Sequence, residues 1–317
     1  MKHNTANVAV PRKKGRVLKR IFSCWQLYLF LLIPLVYLFI FCYGPMTGLQ
    51  IAFKKFRAAD GIWGSPWVGF DQFTKFFQSY MFARVLRNTI IVSLYSLIAG
   101  FPMPIILALI LNSLRSDRYR KVAQTITYLP YFISTVVLVG ILTQMLNPRV
   151  GLVANLYRIF ADSEMPNVMA SPGAFPHLYV WSGVWQSMGY NSIIYIAALA
   201  NTDPELHEAA EVDGASRFQR VIHIDLPTIL PTASILLIMN CGNIMNVGFE
   251  KAFLMQNNVN METSEVISTY VYKVGLGNTV TDFSYATAIG LFNSIINLIM
   301  IIVVNTITKR LNGNSLF

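Results

Sequence analysis

Six long stretches of mostly apolar residues, separated by shorter polar ones, dominate the chain: residues 25–43, 88–111, 125–146, 178–199, 230–247 and 285–307. Each approaches the roughly 20 apolar residues that a helix needs to cross a bilayer. The runs are continuous rather than alternating, which makes tilted transmembrane strands a poor alternative. The first run is too long for a cleavable signal peptide, and no small-x-small site follows it. The pattern predicts an all-α integral membrane protein with six transmembrane helices. Its expected parts are a tail at 1–24, a first helix and outer segment at 25–85, a core of five helices at 86–308, and a tail at 309–317.

Composition supports this class. Of 317 residues, 54% are hydrophobic and only 13% charged, whereas soluble domains carry about 25% charged residues. Too few charges are present to solvate a soluble globule of this size. Disorder is excluded by the wealth of aromatic and β-branched residues. The net charge of +10 separates once the six helices are threaded with the N-terminus inside. Fifteen of the 25 basic residues and seven of the 15 acids then fall on the inner side, giving +8 inside and +2 outside. The positive-inside rule therefore predicts that both termini are cytoplasmic. Topology explains the basic excess, and no soluble module joins basic and aromatic residues for nucleic-acid binding. The three cysteines and four histidines, His207 among them, show no metal-ligand spacing.

Two outer segments carry more than connection. Residues 44–87 hold a Gly/Pro/Trp-rich stretch, then Phe70, Phe73, Phe76, Phe77, Tyr80 and Phe82 beside Lys75, Arg84 and Arg87. That spacing suits either a helix in the membrane interface or one packed onto other spans. Residues 250–283 form the other long outer connection. Lys54, Arg84 and Arg87 offer outer positive charge, largely balanced by outer acids.

The loop at 202–227 predicts a helix, a turn and a second helix. Asp203 or Thr202 can cap the first helix, with Thr202 and Glu205 in capping-box register and Pro204 suited to its opening turn. Glu205, Glu208 and Glu211 recur every three residues as an acidic stripe. Gly214 supplies the turn, Ser216 can cap the second helix, and Pro227 is expected to stop it. Ala209 and Ala210 are small enough for a partner surface to approach closely. The expected element is a short helical hairpin parallel to the membrane and exposed in the cytoplasm.

Glu208-Ala209-Ala210, then Asp213-Gly214-Ala215, then Ile224-x-Leu226-Pro227 resembles the EAA loop of ATP-binding-cassette importer permeases, including its place before the second-last span. Val68 to Phe77 leading into Leu86-Arg-Asn-Thr89 resembles the approach to the second span in the carbohydrate-importing branch. Residues 128–134, 246–256 and 265–273 look like polysaccharide and oligosaccharide permeases of Gram-positive bacteria. The resemblance covers about residues 25–310. It implies the type I importer fold, with residues 86–308 as the permease core and the hairpin as its coupling helix. Glu205, Glu208, Ala209, Ala210, Asp213, Gly214, Ala215, Ile224, Leu226 and Pro227 are then the residues that couple to an ATPase.

No G-x-x-x-x-G-K-[ST] sequence occurs anywhere, so this chain lacks the P-loop route to ATP. The resemblance implies a transport subunit, not an enzyme, that binds no cofactor itself, with ATP and Mg held by two separate ATPase subunits. It further implies a second, similar permease forming a heterodimer, an extracellular solute-binding lipoprotein docking on the outer segments, and a carbohydrate substrate. This chain would be the first permease of the pair, in the plasma membrane.

Intramembrane polar groups usually face a bundle interior, and amides with aromatic faces suit sugar hydroxyls and pyranose rings. The candidates for the substrate path are Tyr179, Trp185, Gln186, Tyr190 and Asn191 in the fourth span, Asn240, Asn243 and Asn246 in the fifth, and Asn293 and Asn297 in the sixth. Trp181 lies beside them. Amides also join helices to one another, so each candidate has a structural reading too. The rivals are a permease for a non-carbohydrate solute and an ATP-independent secondary transporter. The latter predicts ionisable residues in mid-span, and Glu250 and Asp282 sit only at edges. A membrane glycosyltransferase would need an acidic catalytic pair, whereas the acids at 205–213 fit the hairpin better.

Overall fold

The structure, a computed structural model, describes residues 23, 25–114, 116–161, 163–277 and 281–312. Most of the N-terminal basic tail, Arg115 and the end of the C-terminal tail lie outside the described residues. The described chain is helical, and its one β pairing is the isolated bridge between Lys54 and Trp67. It divides into two compact units, one up to Gln50 and one from Ile51.

The first long helix, α1, runs Trp25–Phe53 over 29 residues, passing from α through π to 3-10 geometry. Its apolar side chains are exposed from Trp25 to Met46. Such a surface is stable only in lipid or against a partner. In the second unit, α2 (Asp71–Gln78) precedes α3 (Tyr80–Asn112), with Ser79 turning the chain and capping α3 through a bond accepted from the Met81 amide. Of the two readings of the phenylalanine segment, packing prevails. Phe76 is fully buried and meets Phe82, Tyr285 and Phe292 edge to face.

The expected third span is not one straight helix. α4 (Asp117–Phe132) and α5 (Thr135–Met145) meet at 96°. Pro130 and the extended Ile133–Ser134 link break the ladder, and Ser134 caps the new helix by accepting from the Val137 amide. The short amphipathic helix α6 (Leu152–Ala161) follows. α7 (Phe175–Leu199) has 25 residues, enough for about 37 Å at 1.5 Å each. Among the described residues four helices, α1, α3, α9 (Arg217–Gly242) and α13 (Phe283–Asn312), are long and apolar enough to cross a membrane, and the α4–α5 pair makes a fifth if counted as one span. α7 is less hydropathic than these and does not meet the same measure.

Between Gly242 and Phe283 the long connection folds into α10 (Phe249–Met255), α11 (Met261–Ser264) and α12 (Ile267–Tyr272). It is a packed cap. Asn88 donates to the carbonyls of Glu262 and Glu265, and Asn260 donates to those of Met169 and Met255. Val92, Phe175, Tyr179, Val184, Ala252 and Val266 form one buried cluster joining the cap to α3 and α7. Near the C-terminal end of α7, Ala108, Tyr195, Leu199, Ile229 and Ala233 form another.

One close approach fixes the α4–α7 joint. A Cβ on Gly189 would sit 1.9 Å from the Thr127 carbonyl oxygen, so only glycine permits the two backbones to meet there.

Candidate functional site

Two regions concentrate the candidate residues: the hairpin at 203–227 and a cleft between α3, α7 and α9. In the hairpin, α8 (Pro204–Val212) begins at Asp203, whose Oδ1 accepts from the Glu205 amide at 3.0 Å. Thr202 does not share in this cap, and its buried hydroxyl has no partner among the described residues. At the other end Gly214 adopts φ +79°. The Ala215 amide donates to the Ala210 carbonyl (2.8 Å) and the Gly214 amide to that of Glu211 (3.1 Å). This paired pattern is a Schellman motif, which closes a helix on a left-handed residue that glycine adopts without strain. Ser216 then caps α9 in a capping box with Gln219.

Pro227 does not end the second helix. The chain opens into a π turn at Val221–Asp225 and continues without interruption to Gly242. The wider turn accommodates the proline ring and its missing N–H just ahead of the restored α geometry. The hairpin's second arm is thus the inner end of α9 itself, so the element is less a separate short hairpin than one helix docked on a span's extension.

Glu205, Glu208, Ala209, Asp213, Gly214 and Pro227 are exposed, while Ala210, Ala215, Ile224 and Leu226 are half-buried. Glu211 is bonded to Arg220 at 3.0 Å. The sequence reading missed three exposed apolar side chains around the acidic stripe, Leu206, Val212 and Phe218, the last two 89% and 72% exposed. It also missed a polar junction below them. Asp225, 3% exposed, accepts on Oδ1 from Asn112 Nδ2 (3.3 Å) and from His207 Nε2 (3.2 Å). His207, set aside for want of ligand spacing, gains its partner from the tertiary fold.

In the cleft, Tyr179, Asn191, Asn240, Asn243 and Asn246 come together around about 360 Å³. Ser93, Ser96 and Ser187, which the sequence reading did not single out, complete the polar lining. They were hidden because a serine in an apolar helix usually bonds its own backbone, as Ser187 does to Gly183. The other path candidates do not join this lining. Gln186 donates to the Ile133 carbonyl at 2.7 Å, and Tyr190 stacks on Tyr131 with centroids 3.8 Å apart. Both hold α7 to the α4–α5 break. Trp185 is about half exposed away from the cleft. Asn293 and Asn297 both donate to Asn246 Oδ1, at 3.0 and 3.1 Å, and Asn297 also accepts from the Met245 amide. They join α13 to the end of α9 and orient Asn246 from behind.

Further groups brace the rim of the cleft near the 249–272 cap. Lys251 is buried and donates to the Tyr179 carbonyl at 2.7 Å, with its ammonium 4.8 Å from that ring's centroid. Burial lowers its pKa to about 8. Trp181 donates to Tyr95, whose hydroxyl meets His177 Nδ1 at 3.0 Å. Lys54, expected to present outer charge, is instead only 2% exposed, bonded to the Ile62 carbonyl and stacked over Trp67. Arg84 and Arg87 stay exposed.

Residues 100–313 match the family model of the binding-protein-dependent transport system inner membrane component. The chain belongs to that family. It is 39% identical to Protein LplB of Bacillus subtilis, over 92% of this chain and 91% of LplB. It is 36% identical to the polygalacturonan/rhamnogalacturonan transport system permease protein YteP of the same organism, over 96% and 94%. A crystal structure of a bacterial ABC transporter involved in the import of the acidic polysaccharide alginate superposes with a TM-score of 0.85 at 40% identity, covering 94% of this chain and 99% of that one. A second, of the alginate transporter in complex with alginate pentasaccharide-bound periplasmic protein, gives 0.86 at 39% identity. This permease is thus a transport subunit of an ABC importer, a membrane-spanning component rather than an enzyme, and hydrolysis of ATP falls to a separate subunit.

Proposed function

We propose that this permease moves an oligosaccharide inward across the plasma membrane as one half of a heterodimer with a second permease. Two ATPase subunits, holding ATP and Mg, seat the α8–α9 hairpins of the pair in grooves on their surfaces. A solute-binding lipoprotein delivers the glycan to the outer side, where the 44–87 segment and the 250–283 cap receive it. Both termini are cytoplasmic, and this chain is the first permease of the pair. The domain reading stands with it: tails at 1–24 and 309–317, a first helix and outer segment at 25–85, and the permease core at 86–308.

The observation that carries this reading is the exposed hairpin built directly onto the inner end of α9. Its surface combines Glu205 and Glu208 with Leu206, Val212 and Phe218. Exposed apolar side chains interspersed with acids fit an apolar groove with basic groups beside it. Drawing two such hairpins together when ATPases close would tilt α9 and alternate the cleft between inner and outer faces, a rigid-body transition. The cleft itself offers amides, hydroxyls and the Tyr179 ring and no charged side chain among its lining residues. That suits sugar hydroxyls, and leaves the choice of glycan mainly to the binding protein. Its relatives' names, for polygalacturonan/rhamnogalacturonan and for alginate, support an oligosaccharide over a smaller solute.

The test is co-purification and uptake. ATPase subunits should come down with the wild type and not with Glu208→Lys. Calorimetry of the adjoining binding protein against neutral and uronate oligosaccharides should find a binder in that panel. An ATPase retained by Glu208→Lys would sink the coupling assignment. Binding only to non-carbohydrate solutes would sink the substrate class.

A further inference from the structure

The junction below the hairpin holds a buried carboxylate with no task in the reading above. Asp225 lies in the π turn of α9, and its Oδ1 accepts from two side chains on two other elements. Asn112 closes the inner end of α3, and His207 sits mid-way along α8. One oxygen therefore ties together the inner end of one span, the hairpin's first helix and the root of another span. The Arg220–Glu211 bond links α9 to α8 on the far side of the same 370 Å³ hollow.

What makes this oxygen more than ordinary bonding is how little else holds α8. No residue of that helix is buried, so there is no apolar face to seat it against the spans. Its attachment is polar and concentrated at His207 and Glu211. A buried carboxylate loses far more by giving up its donors than an exposed one does. The junction is therefore stiff where the helix around it is loosely held.

We propose that Asp225 is the positioning residue that makes the hairpin move as one piece with α3 and α9. With the junction intact, displacement of α8 by the ATPase is delivered to both spans. With it broken, α8 follows the ATPase while the spans lag behind. This rests on the hairpin being the ATPase contact.

The experiment uses the transporter purified with its own ATPase subunits, and needs no transported solute. Spin labels are placed at two exposed positions outside that ATPase-facing surface, Pro204 at the start of α8 and Ile110 on α3. Their separation is measured by pulsed electron spin resonance without nucleotide and with ATP bound to hydrolysis-blocked ATPases. The wild type should give one narrow distribution that is the same in both states. Asp225→Ala should gain a second population only when ATP is bound. Asp225→Asn keeps the volume and one acceptor oxygen and should retain most of the narrow population. If Asp225→Ala does not assemble, His207→Ala and Asn112→Ala, which remove one donor each, should show the same ATP-dependent population in smaller amount. A distribution in these variants identical to wild type overturns the proposal, as does one broadened equally in both states, which marks general loosening. Glu208→Lys separates the two ideas. If it still assembles with the ATPases, the hairpin reading fails and takes this proposal with it. If it does not, and Asp225→Ala stays rigid, only the role of Asp225 fails.

Discussion

Gly189→Ala tests the α4–α7 joint on which the cleft wall depends. The added Cβ would lie 1.9 Å from the Thr127 oxygen and 2.4 Å from its carbonyl carbon. Carbon and carbonyl oxygen approach to about 3.3 Å at closest, so the helices must part by about 1.4 Å. Both obstacles are backbone, so no rotamer relieves the clash. Overpacking of this kind costs about 1–3 kcal/mol. The parting also stretches the Gln186–Ile133 bond and the Tyr190–Tyr131 stack. These contribute about 0.6 kcal/mol and about 0.5–1.5 kcal/mol respectively. The expected destabilisation is about 2–5 kcal/mol, measured as a shift in the denaturant unfolding midpoint of the purified permease in detergent. Gly189→Ser should behave at least as badly. A variant within about 0.5 kcal/mol of wild type, the range of an ordinary surface substitution, would refute the reasoning, because the helices could then not be in backbone contact.

Further outcomes follow from the same geometry. Asn246→Leu removes the acceptor shared by Asn293 and Asn297, and two lost interhelical amide bonds should cost about 1–2 kcal/mol in the same unfolding assay; Asn191→Leu, which makes no such bond, should impair uptake with little change in stability. Lys251 has its pKa lowered by burial to about 8 against 10.5 in the unfolded chain. The unfolded state therefore binds more protons between those values, and stability should rise with pH across that window. Lys251→Met should abolish that slope, and an unchanged slope in the variant would sink the assignment. Gly214→Ala meets no steric obstacle but must hold φ +79°. The strain of about 1–2 kcal/mol should lower ATP-driven uptake, with Gly214→Asn affected less because asparagine tolerates that conformation.

The long apolar runs, the helix caps and the glycine of the hairpin were legible because each is a local matter. Twenty apolar residues admit few soluble arrangements, Asp203 and Ser216 cap helices through their own neighbouring amides, and Gly214 turns the chain by its own φ. The sequence likewise placed Asn240, Asn243 and Asn246 near one another, since spacing on a helix is fixed by its pitch. It could not say which of them would face a cleft and which would be spent on a neighbour. That depended on α13 bringing Asn293 and Asn297 to Asn246 across about fifty residues of chain.

Local rules failed where a distant group changed the outcome. Pro227 reads as a stop, but packing of Ile229 and Ala233 against α7 rewards continuation of α9, and a π turn absorbs the ring. Lys54 reads as outer charge, yet Trp63, Trp67 and the Ile62 carbonyl, folded back onto it by the 54–67 segment, enclose it. His207 and Asp225 are eighteen positions apart and Asn112 far from both, so no motif could unite them. The sequence alone determined the class of protein, most of its long apolar helices and the capped, glycine-turned start of the hairpin, because hydropathy and backbone propensity act within a few residues. Only the tertiary structure decided which polar groups are free for a solute and which hold the helices, because a hydrogen bond in a membrane bundle belongs to whichever partner the packing brings within 3 Å.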